Sequence, residues 1–200
     1  MLTIYFFTFC GFLISIQFFL ILISYFLLNL AYSIKLKRIP VLDIAIVSFN
    51  YILRITAGGV LINVEISRWI IIVTYSLALF LTLVKRREDV ILASRGFEIK
   101  KSMSGYNLEI LNIGISLMAG VTIISYILYT ISPDVHHRLR SDKLYITSLF
   151  VILGILRYLQ ITFIEKNSTD PSEVIIKDKF LQIIIILWLI SFYLLARVIK

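Results

Sequence analysis

Charged residues in this chain are almost confined to the breaks between six long apolar runs, at residues 2–30, 41–62, 67–84, 108–131, 144–163 and 180–199. A helix needs roughly 20 apolar residues to cross about 30 Å of hydrocarbon, and most of these runs meet that length. The run at 67–84 is shorter, but Lys85 can snorkel from its end and extend it. The runs are continuous rather than alternating with period two, which excludes a transmembrane β-barrel. A mean hydropathy of +0.95 excludes a soluble globular domain. The expected fold class is therefore an all-α integral membrane protein of six transmembrane helices. Short loops leave room for only a single domain over residues 1–200.

A net charge of +8 is compatible with a nucleic-acid partner, but topology accounts for it. If residues 32–38 lie on one face, alternation places 85–107 and 165–179 on the same face. Those three loops carry Lys35, Lys37, Arg38, Lys85, Arg86, Arg87, Arg95, Lys100, Lys101, Lys166, Lys177 and Lys179. The opposite face carries half as many: Arg68, Arg138, Arg140, Lys143, Arg197 and Lys200. The positive-inside rule then puts the three rich loops in the cytoplasm, with the chain multi-pass in the plasma membrane. No nucleic-acid partner is expected; the surrounding partner is membrane lipid. The single cysteine, Cys10, can form no intramolecular disulfide. The first run has neither a basic n-region nor a small-residue cleavage site, so it does not read as a signal peptide. A chain that starts directly in a span suggests that an amino-terminal part is missing.

Within the second run, Asp43, Val47, Asn50 and Arg54 share one helical face. A charge deep in a span faces protein or a water-filled cavity, so Arg54 is either held by neighbouring carbonyls or lines an anion-binding cavity. Glu109, Asn112, Ser116 and Gly120 form a second stripe, whose simplest reading is close helix packing. Lys85-Arg86-Arg87-Glu88-Asp89 closes the third run. As a plain stop-transfer anchor it needs no acids; with them, three cations can neutralise a diphosphate. Glu88 and Asp89 can contribute to an Mg²⁺ site, since that ion takes one or two carboxylates plus substrate phosphates. Tyr32, Lys35, Lys37 and Arg38 form a further cationic patch on the same face, and Asp170-Pro171 reads as a turn and helix start. His136-His137, on the other face, lack a third metal ligand. No nucleophilic triad, phosphate loop or dinucleotide fingerprint is present.

Taken in order, the blocks AYSIKLKRIPVLDIAIVSFNYILRITAGGV, W-x(14)-VKRREDVIL, SGYNLEIL, SYILYT and DPSEVIIKDKFLQIIIILW resemble the UbiA-type intramembrane prenyltransferases. They are most similar to the decaprenyl-phosphate phosphoribosyltransferase branch, from about residue 30 onward. The resemblance implies the last two-thirds of a nine-helix fold, with a central cavity open to the cytoplasm and Mg²⁺ as cofactor. It implies transfer of 5-phosphoribose from phosphoribosyl pyrophosphate to a polyprenyl phosphate such as decaprenyl phosphate, a step in making cell-envelope precursors. By motif position it carries over Tyr32, Lys37, Lys85, Arg86, Arg87 and Glu88 as diphosphate- or metal-facing groups. Asp43 and Arg54 are carried over with them. The catalytic set so implied is Glu88, Asp89 and Asp43, with Glu88 and Asp89 as metal ligands. Tyr32, Lys37, Arg54, Lys85, Arg86 and Arg87 are left to bind substrate.

The family's first acidic motif, N-D-x-x-D-x-x-x-D, is absent from the sequence, as are three of the nine spans. A truncated or split homologue, inactive alone, is the expectation, because departure of diphosphate depends on metal-holding carboxylates. Two other readings stand beside it. Aromatic prenyl transfer in quinone or haem O synthesis is disfavoured because KRRED departs from the D-x-x-x-D of those branches. A non-catalytic membrane remnant or assembly partner is favoured by the missing motif and disfavoured by the preserved charged blocks.

Overall fold

The computed structural model describes residues 15–94, 105–165 and 171–197, and all of their regular structure is helical. In chain order the α-helices are α1 (Ile16–Ile34), α2 (Leu42–Leu61), α3 (Arg68–Ser94), α4 (Leu108–Ile131), α5 (Pro133–Leu139), α6 (Ser148–Gln160), α7 (Pro171–Lys177) and α8 (Lys179–Arg197). Short 3₁₀ turns sit at Leu36–Arg38 and Leu144–Thr147, and a π-helical turn, Ile161–Glu165, continues α6. Among the described residues, six helices are long and apolar enough to cross a membrane: α1, α2, α3, α4, the continuous stretch Leu144–Ile164, and α8. The chain is an all-α, multi-pass membrane protein.

Local sequence explains where the helices start. Ser15 caps α1 by accepting from Gln17 N, and Asn107 caps α4 by accepting from Ile110 N at 2.7 Å. Asp178 does the same for α8, accepting from Leu181 N at 2.7 Å. Pro133 and Pro171 open α5 and α7, where a missing N–H costs nothing. The first expected span, 2–30, lies partly outside the described residues, and the helix within them runs on to Ile34. The third run, expected to end at residue 84, continues as helix for ten more residues to Ser94. Lys, Arg and Glu are good helix formers, and here three of them also turn toward the bundle.

Neighbouring helices pack in sequence, α1 on α2, α2 on α3, α3 on α4, then α4 on α6 and α6 on α8, with α3–α4 the most extensive contact. The core is Ile44, Phe80, Leu83, Val84, Leu111, Ile115, Ala119, Ile155, Tyr158, Ile161, Val174 and Leu181. Where α3 and α4 approach most closely, Gly114 leaves room for the Leu83 side chain. The expected small-residue seam on α4 does not extend along the helix. Ser116 bonds back to Asn112 O of its own helix, and a Cβ on Gly120 would meet nothing within 4 Å. Of the Gly58-Gly59 pair, only Gly59 is buried, against Ile66 and the Val64 carbonyl.

Between α3, α4, α6 and α8 lies an apolar slot of about 410 Å³, lined by residues such as Val73, Phe80, Phe150, Gly154, Tyr158 and Trp188. At one end of the slot, Trp188 donates from Nε1 to the Tyr126 hydroxyl (2.7 Å), which also bonds Thr147 Oγ1 (2.8 Å), tying α8, α4 and the second 3₁₀ turn together. The other end of the bundle carries the charged loops.

Candidate functional site

The charged end is built on the start of α2, the last turns of α3, the start of α4, the π turn and the start of α8. Asp43, in the first turn of α2, is completely buried. It accepts from Arg86 Nε of α3 at 2.8 Å and from the Tyr106 hydroxyl at 2.5 Å. Tyr106 in turn accepts from Val41 N at 2.6 Å. Val41 has φ 68°, an unusual conformation for a β-branched residue and a local strain that the Tyr106 hydrogen bond helps to hold. Burial, followed by the hydrogen bond to Asp43, pushes the Tyr106 phenol far above its ordinary range. It therefore stays protonated and donates at every accessible pH.

Arg86 also donates through Nη1 to Asp89 at 3.0 Å. Its side chain is only 13% exposed, so its charge is met by two carboxylates rather than by water. Removing one side of such a pair leaves an uncompensated buried charge and costs several kcal/mol. Tyr32 of α1 also contributes to the electrostatic environment of this guanidinium.

Arg87 points another way, as successive residues on a helix do. Its Nε donates to Asn112 Oδ1 of α4 (2.8 Å), its Nη1 donates to the carbonyl of Thr162 (3.0 Å), and the guanidinium lies 5.1 Å from the Phe163 ring centroid. Thr162 belongs to the π turn, whose wider register leaves a backbone carbonyl to face a neighbour. Arg157 Nη2 donates to Asp178 Oδ2 at 2.5 Å and Nη1 to Gln160 Oε1 at 3.0 Å, joining α6 to the α7–α8 junction. Those hydrogen bonds hold the Asp178 carboxyl below its ordinary range.

Of the expected site residues, the structure thus brings Asp43, Arg86 and Asp89 into one cluster, with Tyr32 nearby. Glu88 is buried on the core side of α3, whereas Lys85 and Lys37 are exposed. The three adjacent cations do not form one flat cradle, because Arg86 and Arg87 are each engaged by different helices. Among the described residues no group of three His, Cys, Asp or Glu is placed to hold a metal ion. Asp89 is the reachable carboxylate, its side chain 29% exposed.

Arg54 stands apart. It lies eleven residues beyond Asp43, about 16 Å along α2 at 1.5 Å per residue. Its Nη2 donates to the Tyr25 hydroxyl of α1 at 2.8 Å, and it lies 5.5 and 5.4 Å from the ring centroids of Tyr25 and Tyr51. Asn50, between the two ends of the stripe, exchanges hydrogen bonds of 3.2 and 3.4 Å with Asn29 of α1. Tyr106 and Asn112 are participants that sequence reasoning did not place in the site, whereas Arg157, near the charged end of its span, reads from sequence equally as a site border or as a structural residue. A hydroxyl or amide at a helix start carries no signal of its partner, although both lie close to charged loops.

The fold and this charged mouth define a polytopic helical membrane protein with an ion-paired site at one end of its bundle. No protein-family model matches the chain. Over 161 residues, 80% of the chain, it is 31% identical to a decaprenyl-phosphate phosphoribosyltransferase of Corynebacterium glutamicum, of which it covers 48%. A protein of the same name from Mycolicibacterium smegmatis is 32% identical over 168 residues, 80% of the chain and 52% of the relative. One from Mycobacterium tuberculosis is 28% identical over 163 residues, with 80% and 52% covered. The chain is thus similar, over four-fifths of its length, to proteins named decaprenyl-phosphate phosphoribosyltransferase. It spans about half the length of the curated relatives it matches.

Proposed function

We propose that this chain is the substrate-facing part of a transferase that moves 5-phosphoribose from phosphoribosyl pyrophosphate to a polyprenyl phosphate at the cytoplasmic face of the plasma membrane. The observation that carries this reading is the fixed Asp43–Arg86–Asp89 cluster at the mouth of a bundle whose relatives bear that activity in their names. Arg86 and Arg87 are held by protein groups, so they set the shape and potential of the mouth. The exposed ammonium groups of Lys85 and Lys37 would contact phosphate oxygens.

In the transfer, a lipid phosphate oxygen forms a bond to the ribose anomeric carbon while the bond from that carbon to pyrophosphate breaks. The lysines neutralise the negative charge of donor and leaving group and hold the two in line. Asp89 would hold an Mg²⁺ together with pyrophosphate oxygens, and that ion would help neutralise the leaving pyrophosphate. Its remaining protein ligands must come from a segment bearing further carboxylates. The apolar slot suits the polyprenyl chain, which buries its methyl branches among aromatic side chains. Acceptance of an anionic lipid agrees better with this cationic mouth than acceptance of a neutral aromatic ring does.

The test is transfer of labelled phosphoribose to polyprenyl phosphate by the chain in lipid nanodiscs with Mg²⁺. It is run with and without the portion of the Corynebacterium glutamicum relative that lies outside its match to this chain. Product only with the added portion is expected, with loss of at least tenfold in rate for Lys85→Ala. Product with an aromatic acceptor but none with polyprenyl phosphate would overturn the reading.

A further inference from the structure

Arg54 poses a solvation problem that the described chain leaves unsolved. It is the thirteenth residue of α2, about 18 Å from the start of that helix and about 10 Å from its end. Its guanidinium does not stretch to a helix terminus. It is tied to the hydroxyl of Tyr25, itself in the middle of α1, and it lies against two aromatic rings. A guanidinium carries five donors, and Tyr25 accepts one of them. Residue 54 is exposed, and no residue of α1 is buried. In hydrocarbon such a face would place a cation and aromatic hydroxyls directly against lipid tails, which is costly.

The face also has a shape. Ile21, Leu22, Tyr25, Leu53, Arg54 and Ala57 line a hollow of about 200 Å³ between α1 and α2, large enough for one side chain. We propose that the α1–α2 face is the docking surface for a further membrane-spanning helix that inserts a carboxylate side chain into this hollow and pairs it with Arg54. A carboxylate matches the guanidinium fork bidentately, and inside a membrane the pair removes the cost that either charge carries alone.

A second copy of the chain does not supply that group. A two-fold contact through this face would set Arg54 near Arg54, and its one acidic residue in α1 or α2, Asp43, is buried and engaged. Among the described residues the other exposed acids, Glu65, Glu109, Asp134, Asp142 and Glu173, all lie at or near helix ends rather than at the depth of Arg54. A separate segment does fit, since the relatives carry about as much sequence again as this chain covers. The proposal rests on that relationship but not on which substrates the site takes, and its readout is physical association.

A photo-crosslinking residue is placed at Ala57, and the chain is co-expressed in membranes with the portion of the Corynebacterium glutamicum relative outside its match to this chain as the probe. A crosslink to that portion is expected, reduced at least tenfold by Arg54→Leu and largely retained by Arg54→Lys. Tyr193→Ala, on the exposed face of α8, should leave it unchanged and serves as the control for folding. Replacing the crosslinked acidic residue of the probe by Lys should restore the crosslink to Arg54→Glu. A crosslink unaffected by Arg54→Leu, a crosslink of the chain to itself, or none at all with a folded chain would each overturn the proposal.

Discussion

Asp43 is the residue on which the charged end depends, because two donors, one from α3 and one from the loop before α4, converge on one buried carboxylate. Replacing it with Ala should destabilise the protein by about 3–5 kcal/mol, since Arg86 would then lose its closest counter-charge in a confined site. Tyr106→Phe removes one hydrogen bond to that carboxylate and releases Val41 N, for about 1–2 kcal/mol. Unfolding in mixed micelles at graded denaturant detergent should rank the two in that order. A second residue-scale prediction concerns acid. Asp178 has its carboxyl held below the ordinary Asp value near 4. Its contribution is therefore complete above that value and is lost as pH falls through the lower, folded-state value. Hydrogen exchange at the start of α8 should rise below about pH 4 in the wild type. In Asp178→Asn it should already be faster at neutral pH and lack that acid step.

At the scale of elements, the six spans were legible because a membrane enforces long apolar runs and short polar breaks. The position of Asp43 toward the interior was legible too, as a charge on an otherwise apolar helix. The outward extension of α3 was not, because a basic cluster ends a hydrophobic run whether or not the helix stops. Nor was the division of KRRED between two neighbours, which depends on the angle at which α2 and the π turn approach α3. Nor was the looseness around Gly120: spacing marks small residues without showing what faces them. Two substitutions measure that difference. Gly120→Ala should be neutral or stabilising by up to about 1 kcal/mol, as removing a helical glycine usually is. Gly114→Leu must displace Leu83 on α3 and should cost about 1–3 kcal/mol. Thermal denaturation of both variants in one detergent checks the contrast.

For the whole molecule, the slot makes a prediction independent of the charged mouth. Gly154→Trp projects an indole into it toward α8, where Ile184 and Leu181 lie 3.6 and 3.9 Å from the position of an added Cβ. If the slot holds the polyprenyl chain as proposed, polyprenyl phosphate retained on the purified protein, measured by mass spectrometry of extracted lipid, should fall at least tenfold. Binding of pyrophosphate to the charged end should be unchanged. A variant that loses both has lost its fold, which circular dichroism in the same sample would reveal.

The polar ties are unevenly distributed along the length of α3. Near its carboxyl end, Arg86 and Arg87 fasten it to α2, α4 and the π turn. Toward its start, Ile70, Val73 and Leu77 face the slot with apolar side chains. The hydrogen-bonded trio of Tyr126, Thr147 and Trp188 meanwhile clamps α4 to α8 at that level. Mechanically, α3 resembles one jaw of a clothes-peg, pinned by polar ties at the charged end and lined with apolar side chains at the other. Under load a single-molecule pulling trace should show its first half yielding early at low force. The riveted second half should part later, in one abrupt step.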